Sequence, residues 1–338
     1  MNPLRILFIA FLHSVLLAQL AAGKSRPYYQ EGLDHLAEKR YDQAERSFLE
    51  ALKDPKVPVE VYYQLAWVYL SMGQWTKAED SAARFLIARP ASTDGQFVRG
   101  YALFRLGKYD WAITMLQRSL GTRNDNSEAH KILGLCYFMK GEHSLAEREL
   151  TTAAKQNPQS AEAHYFLGRF YYSQDRFEQS QQAFEVAVQL NSQYIKAYDN
   201  LGLTLDALGH IDEATKAFQK AIELNEQLKL KSMWPYVNLG ELLLKQNKYA
   251  ESISYFEKAL TIDRNWPKAR VSIGKALLQM GKTEEAKAHF LAAIQTDPNY
   301  GEAHYQLGQL YRKLGQKEDA LRELKIFQDL KKKPAPLD

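Results

Sequence analysis

From Ser25 to Pro334 the sequence returns to the same residue types every 34 positions, and nothing else in it restricts the possible folds as strongly. The blocks begin at Ser25, Val59, Thr93, Ser127, Ala161, Ile195, Met233, Pro267 and Gly301. Four inserted residues, Lys229 to Ser232, lengthen the sixth. The segments are therefore 25–58, 59–92, 93–126, 127–160, 161–194, 195–232, 233–266, 267–300 and 301–334, with 335–338 left as a tail. Position eight is Gly32, Ala66, Gly100, Gly134, Gly168, Gly202, Gly240, Gly274 and Gly308, and position twenty is alanine or serine from Ala44 to Ala320. Each block reads as two amphipathic helices around a turn near position fifteen, which is Gly73, Gly107, Gly141, Gly209, Gly281 or Gly315 in six of them. A glycine inside a helix costs about 1 kcal/mol relative to alanine. Eight such glycines predict a close approach: positions eight and twenty mark where the two helices of a block cross, and large residues such as Leu167 and Phe184 fill the space beside them.

The array accounts for residues 25–334 and leaves no room there for a second kind of domain. Forty-four Lys and Arg against 40 Asp and Glu give a net charge of +4, mixed evenly along the chain, so there is no basic stripe for nucleic acid. A single cysteine, Cys136, excludes an intramolecular disulfide and any CxxC site. Its column is otherwise apolar, which predicts a buried, inert thiol. No nucleotide-binding glycine loop, HExxH pair or nucleophile elbow occurs, so the reading is of a protein that is not an enzyme, with no catalytic residue, metal site or cofactor. Glu-Ala-His recurs at Glu128-Ala129-His130, Glu162-Ala163-His164 and Glu302-Ala303-His304. These histidines fall at position four, a packing position, one repeat or more apart rather than paired on one helix as ligation would require.

Residues 1–24 have another character. Arg5 precedes an apolar run from Ile6 to Leu17, broken only by His13 and Ser14, and small residues follow at Ala21, Ala22 and Gly23. That is the form of a secretory signal peptide. The run is shorter than the roughly 18 to 20 residues of a spanning helix, so export and cleavage are expected, with membrane contact only if the segment is retained. No cysteine follows it to accept a lipid. The lack of disulfide pairs and N-x-S/T sequons inclines the reading toward a bacterial periplasm.

The period and its columns resemble the tetratricopeptide repeat. In the fifth block Leu167, Gly168 and Tyr171, then Ser180, Phe184 and Ala187, stand at that family's places; in the eighth, Gly274, Ala286, Phe290, Ala293 and Pro298 do. The consensus tryptophan at position four is replaced by Tyr62, His130, His164, Tyr198, Tyr236, Arg270 or His304, and Phe85 and Phe327 stand where alanine is usual. The resemblance implies an all-α, right-handed superhelical solenoid of helix-turn-helix repeats, whose concave groove, lined by first helices, holds a protein or peptide partner.

It also implies that positions two, five, nine and twelve face the groove. The first five blocks place Tyr29, Tyr63, Trp67, Phe97, Tyr101, Phe104, Phe138, Tyr165 and Tyr172 there. Later blocks bring Lys196, Asp199, Asp206, Glu241, Lys245, Lys268, Lys275, Gln309 and Arg312 to those places or beside them, with Trp234 and Tyr305 as exceptions, so two functional halves are expected. An aromatic wall has the make-up of a binding hot spot; the same rings can instead pack between adjacent first helices, and both readings stand. The family's carboxylate clamp is not filled, since Lys131 at position five is followed by Leu135 at nine. Asn200 and Asn238 share position six in adjacent blocks and suggest a short ladder for an extended peptide backbone. The insertion is expected to lengthen the second helix or its loop by about one turn. The function read from all this is an exported interaction scaffold. Its rivals are self-association through an array end left apolar by Phe327, and an accessory subunit of an enzyme.

Overall fold

The computed structural model describes residues 26–121 and 125–332, and these residues are helical without any strand. The signal-peptide reading of residues 1–24 and the tail 335–338 lie outside them. The helices fall in pairs, one pair to a block: α1 Arg26–Ala37 and α2 Tyr41–Ala51, α3 Glu60–Ser71 and α4 Trp75–Ala88, α5 Thr93–Arg105 and α6 Tyr109–Leu120, α7 Ser127–Met139 and α8 His143–Gln156, α9 Ala161–Ser173 and α10 Phe177–Leu190. The remaining pairs are α11 Ile195–Ala207 and α12 Ile211–Gln227, α13 Trp234–Lys245 and α14 Tyr249–Ile262, α15 Pro267–Gln279 and α16 Thr283–Thr296, α17 Gly301–Lys313 and α18 Lys317–Lys332. The chain divides into two compact units, one ending at Leu167 and one starting at Gly168 within α9.

The crossing within each pair is where the small columns predict it. A methyl group on Gly274 would sit 2.4 Å from the Phe290 ring, and one on Gly100 would sit 2.8 Å from Leu116. Position eight therefore lies directly under position twenty-four, whose Phe48, Phe184, Phe218, Phe256, Phe290, Leu116 and Leu150 are at most 1% exposed. Position twenty touches the same backbone. Where it is serine, the hydroxyl donates to the carbonyl of the crossing glycine, Ser180 to Gly168 at 2.9 Å and Ser252 to Gly240 at 2.8 Å. No hydroxyl is left unpaired by the small-residue requirement.

Position fifteen has positive φ in every block. Six are the glycines, at +71° to +79°; the other three are Lys39 at +59°, Asp175 at +54° and Asn247 at +61°. The turn thus keeps its left-handed residue even where the glycine signal is missing. Ser92, Asn126 and Ser160 cap α5, α7 and α9 by accepting the backbone N–H groups of Gly95, Ala129 and Ala163.

The insertion lengthens both helix and loop. α12 runs to Gln227, 17 residues against 14 in α10 and α14. The loop that follows is clamped by buried Asn225, whose amide donates to the Ser232 carbonyl at 2.9 Å while its oxygen accepts the Ser232 N–H at 3.2 Å.

Candidate functional site

Within each unit the first helices of successive blocks lie side by side: α1, α3, α5 and α7 in the first, α11, α13, α15 and α17 in the second. Each row presents one face to its own second helices and leaves the other without a helical layer, so side chains on that other face form the candidate site.

In the first unit the position-five rings are mostly core. Tyr29 is 2% exposed, Phe97 4% and Tyr165 6%. These three were expected in a partner-facing wall and are corrected here: Tyr29 packs on Phe48, Phe97 on Trp67 of the neighbouring first helix and Tyr165 beside Phe166. Tyr29 lies on the Phe48 ring at 5.8 Å, and burial, with Glu60 adding and Gln64 opposing, pushes its hydroxyl far above its ordinary pKa. Tyr63, Trp67 and Tyr101 are half-buried, and so are Phe104 and Phe138, whose rings lean on Tyr109 and His143. Tyr63, Trp67, Phe97 and Tyr101 form a chain of touching rings across α3 and α5, with successive centroids 6.4, 6.2 and 6.4 Å apart. The Trp67 indole N–H is enclosed and has no acceptor. An enclosed donor left unmet costs about 1–3 kcal/mol.

Buried Lys131 also stands at position five. Its ammonium is held by Glu128 at 2.8 Å and Glu162 at 2.9 Å, and it lies over the Phe166 ring. Burial alone would lower its pKa, but the two carboxylates outweigh that and raise it. Its charge is balanced inside the fold.

In the second unit the same face is charged, as the sequence suggests. Lysines on one first helix pair with acids on a neighbouring one: Lys245 with Asp206 at 2.6 Å, Lys268 with Glu241 and Lys275 with Glu302, both at 2.7 Å. Lys245, Glu241, Lys268, Val271, Ser272 and Lys275 are among the residues around a cavity of about 490 Å³. Half-buried Tyr172, at the end of α9, packs on Phe177 with ring centroids 5.5 Å apart. The two asparagines of the expected ladder have partners within the fold: the Asn200 amide donates to the Lys196 carbonyl of its own helix, and the Asn238 amide donates to Asp199 at 2.8 Å. Sequence reasoning placed Asp199 on this face without singling it out. It is 8% exposed, and burial raises its carboxyl to a pKa of about 6 against the Asn238 hydrogen bond, which lowers it.

The position-four histidines latch helices and loops. His130 Nδ1 lies 2.5 Å from Glu149, and His304 Nδ1 2.6 Å from Glu323. His164 and His304 reach back to the carbonyls of Pro158 and Pro298 through Nε2, as Gln96 does to Pro90 and Arg270 to Arg264. Position four thus ties the loop between blocks to the next first helix, a role that its mixed composition conceals. Among the described residues no group of three His, Cys, Asp or Glu could hold a metal ion. Cys136 is fully buried, and burial pushes its thiol up to about 12. Phe327 is half-buried, its ring 5.1 Å from that of Tyr305. Among the described residues no helix is long and apolar enough to cross a membrane.

Comparison with known proteins places the repeats in context. Family models described as tetratricopeptide repeat match residues 29–93 and 63–128, 103–170 and 140–202, 195–228, 234–265 and 302–333, and one described as TPR repeat matches 274–315. No curated protein matches the chain. Among solved structures, a chain of the APC/C hetero-tetramer Cut9–Hcn1 is 17% identical with a TM-score of 0.59, covering 85% of this chain and 56% of that one. The present chain therefore spans little more than half of that relative. A tetratricopeptide repeat protein from Parabacteroides merdae is 20% identical with a TM-score of 0.55 over 80% of this chain and 98% of its own. The pilF protein of Pseudomonas aeruginosa is 20% identical with a TM-score of 0.54, over 64% and 96%. At these identities the likeness is one of fold.

Proposed function

Because the chain belongs to the tetratricopeptide repeat family, a fold that typically serves protein–protein interaction without catalysis, we propose that it is an exported scaffold that holds a segment of another envelope protein against the exposed face of its first helices. The observation that carries this reading is the chain of touching rings Tyr63, Trp67, Phe97 and Tyr101. Tyr63, Trp67 and Tyr101 are half-open over buried Phe97, and such rings offer a large contact area with few torsions to freeze, which is the make-up of a binding hot spot. Export rests on the sequence of residues 1–24, a charged start followed by an apolar run and small residues. The balanced charge supports a protein partner over nucleic acid.

Affinity capture from the envelope fraction of the cell that makes the protein tests the reading. Tyr101→Ala combined with Phe138→Ala should cut recovery of the captured partner about tenfold while moving the thermal midpoint by only a few degrees, because both rings are half-exposed. Capture unaffected by this pair, with partner recovery lost only when core Phe184 is truncated, would place the contact elsewhere.

A further inference from the structure

Position five of the first helices is buried except at Tyr63 and Tyr305, and two of its members carry charge. Lys131 is met by two glutamates, as described. Asp199 is met by none: the bond from Asn238 is its one side-chain contact, and no ion pair to it forms among the described residues. The neighbouring carboxylates on the same face of the second unit, Asp206, Glu241 and Glu302, each have a lysine within 2.7 Å. Asp199 is more buried than any of these three, yet it alone lacks a cation.

Its place in the fold explains what can reach it. Val271 and Ser272, at positions five and six of α15, line the cavity beside α13. Asp199 holds position five of α11 and Asn238 position six of α13, so their hydrogen bond bridges two neighbouring first helices on the face that carries the paired charges. Asn238 is half-buried, and Asp199, 8% exposed, is the deeper of the two. A buried carboxylate with one amide donor keeps unused acceptor positions, and the group that satisfies a carboxylate in such a setting is an ammonium or guanidinium.

We propose that the Asp199–Asn238 pair is the recognition site for a lysine or arginine of a segment bound on the first-helix face of the second unit, with Asp199 accepting the cation and Asn238 holding the carboxylate in place. This rests on the groove reading above and specifies the partner's chemistry at one position. The depressed acidity of Asp199 agrees with a carboxylate folded without its counter-ion. Leaving such a charge unpaired disfavours the free protein and favours the complex, a trade of stability for binding found at functional sites.

Selection from a phage-displayed library of random 15-residue peptides on the full chain tests this. Recovered peptides should carry a lysine or arginine at one shared position, and replacing it with norleucine or citrulline should weaken binding to the native protein at least tenfold but to Asp199→Asn less than twofold. Asp199→Asn keeps the acceptor for the Asn238 amide, so its thermal midpoint should equal or exceed that of the native chain. Peptides that bind the first-helix face of the second unit, as judged by loss on Lys245→Ala, but share no basic residue, or lose equally on both proteins, overturn the inference and leave the groove reading intact. A lower midpoint for Asp199→Asn would make the residue a structural anchor and overturn it too. Recovery only of peptides indifferent to both Tyr101→Ala and Lys245→Ala, or of none at all, refutes the groove reading and the inference with it.

Discussion

Asp199 makes the clearest residue-scale prediction. Burial holds its folded pKa at about 6, above the ordinary value of 3.8, so the folded chain binds this proton more tightly than the unfolded chain does. Stability from this group is therefore fully present below about 4 and lost as the pH rises through 6, a change of about 3 kcal/mol at most. Glu149 and Glu302 act in the opposite direction. Burial raises their pKa values, but His130 and Arg148 beside the first, and Lys275 and Gln306 beside the second, outweigh it and hold both carboxyls below their ordinary range. The measurement is thus the difference between native chain and Asp199→Asn across pH 4 to 7 by urea unfolding. Asp199→Asn should gain on the native chain as pH rises, and parallel curves would contradict the assignment. The sequence located the face on which Asp199 lies but not its importance. A helical position fixes direction from its own axis, whereas burial depends on how near the next first helix stands. For the same reason the rings of Tyr29, Phe97 and Tyr165 could not be told from those of Trp67 and Tyr101 without the structure.

At the scale of the helix pair, the position-eight column decides the packing. Gly274→Ala would place a methyl 2.4 Å from the Phe290 ring and should cost about 1–3 kcal/mol, read as a lower denaturation midpoint. Position fifteen gives the opposite sign. Lys39 holds a left-handed conformation at φ +59° that costs a side-chain-bearing residue about 1 kcal/mol or more, so Lys39→Gly should stabilise by about 0.5–1 kcal/mol. A loss would mean that the Lys39 side chain makes a contact the turn depends on. The pairing of helices, the small crossing and the glycine turns were legible in the sequence because each recurs at a fixed spacing and each has one steric cause. The turns at Lys39, Asp175 and Asn247 were not legible as left-handed, since the backbone there is held by the flanking helices rather than announced by glycine. Nor were the latches of His164, His304, Gln96 and Arg270 to the loop six residues back, because different side chains make the same bond.

At the scale of the whole chain, identity lies in what the first-helix face of each unit offers. The first unit offers half-open rings, the second offers paired charges and one carboxylate without a cation. Apolar contact and a single basic anchor are complementary sources of recognition. Rings supply area, and a buried charge supplies discrimination, because a segment lacking the matching cation leaves the carboxylate unsatisfied. The central claim, that partners are held on this face, is tested most directly by site-specific photo-crosslinking in the cell that makes the protein. A benzophenone side chain replaces Tyr101 on the first-helix face in one variant and Trp111, 66% exposed on the second helix α6, in another. The account predicts a discrete adduct from position 101 and none from position 111. An adduct from 111 alone, or from both positions equally, would contradict it.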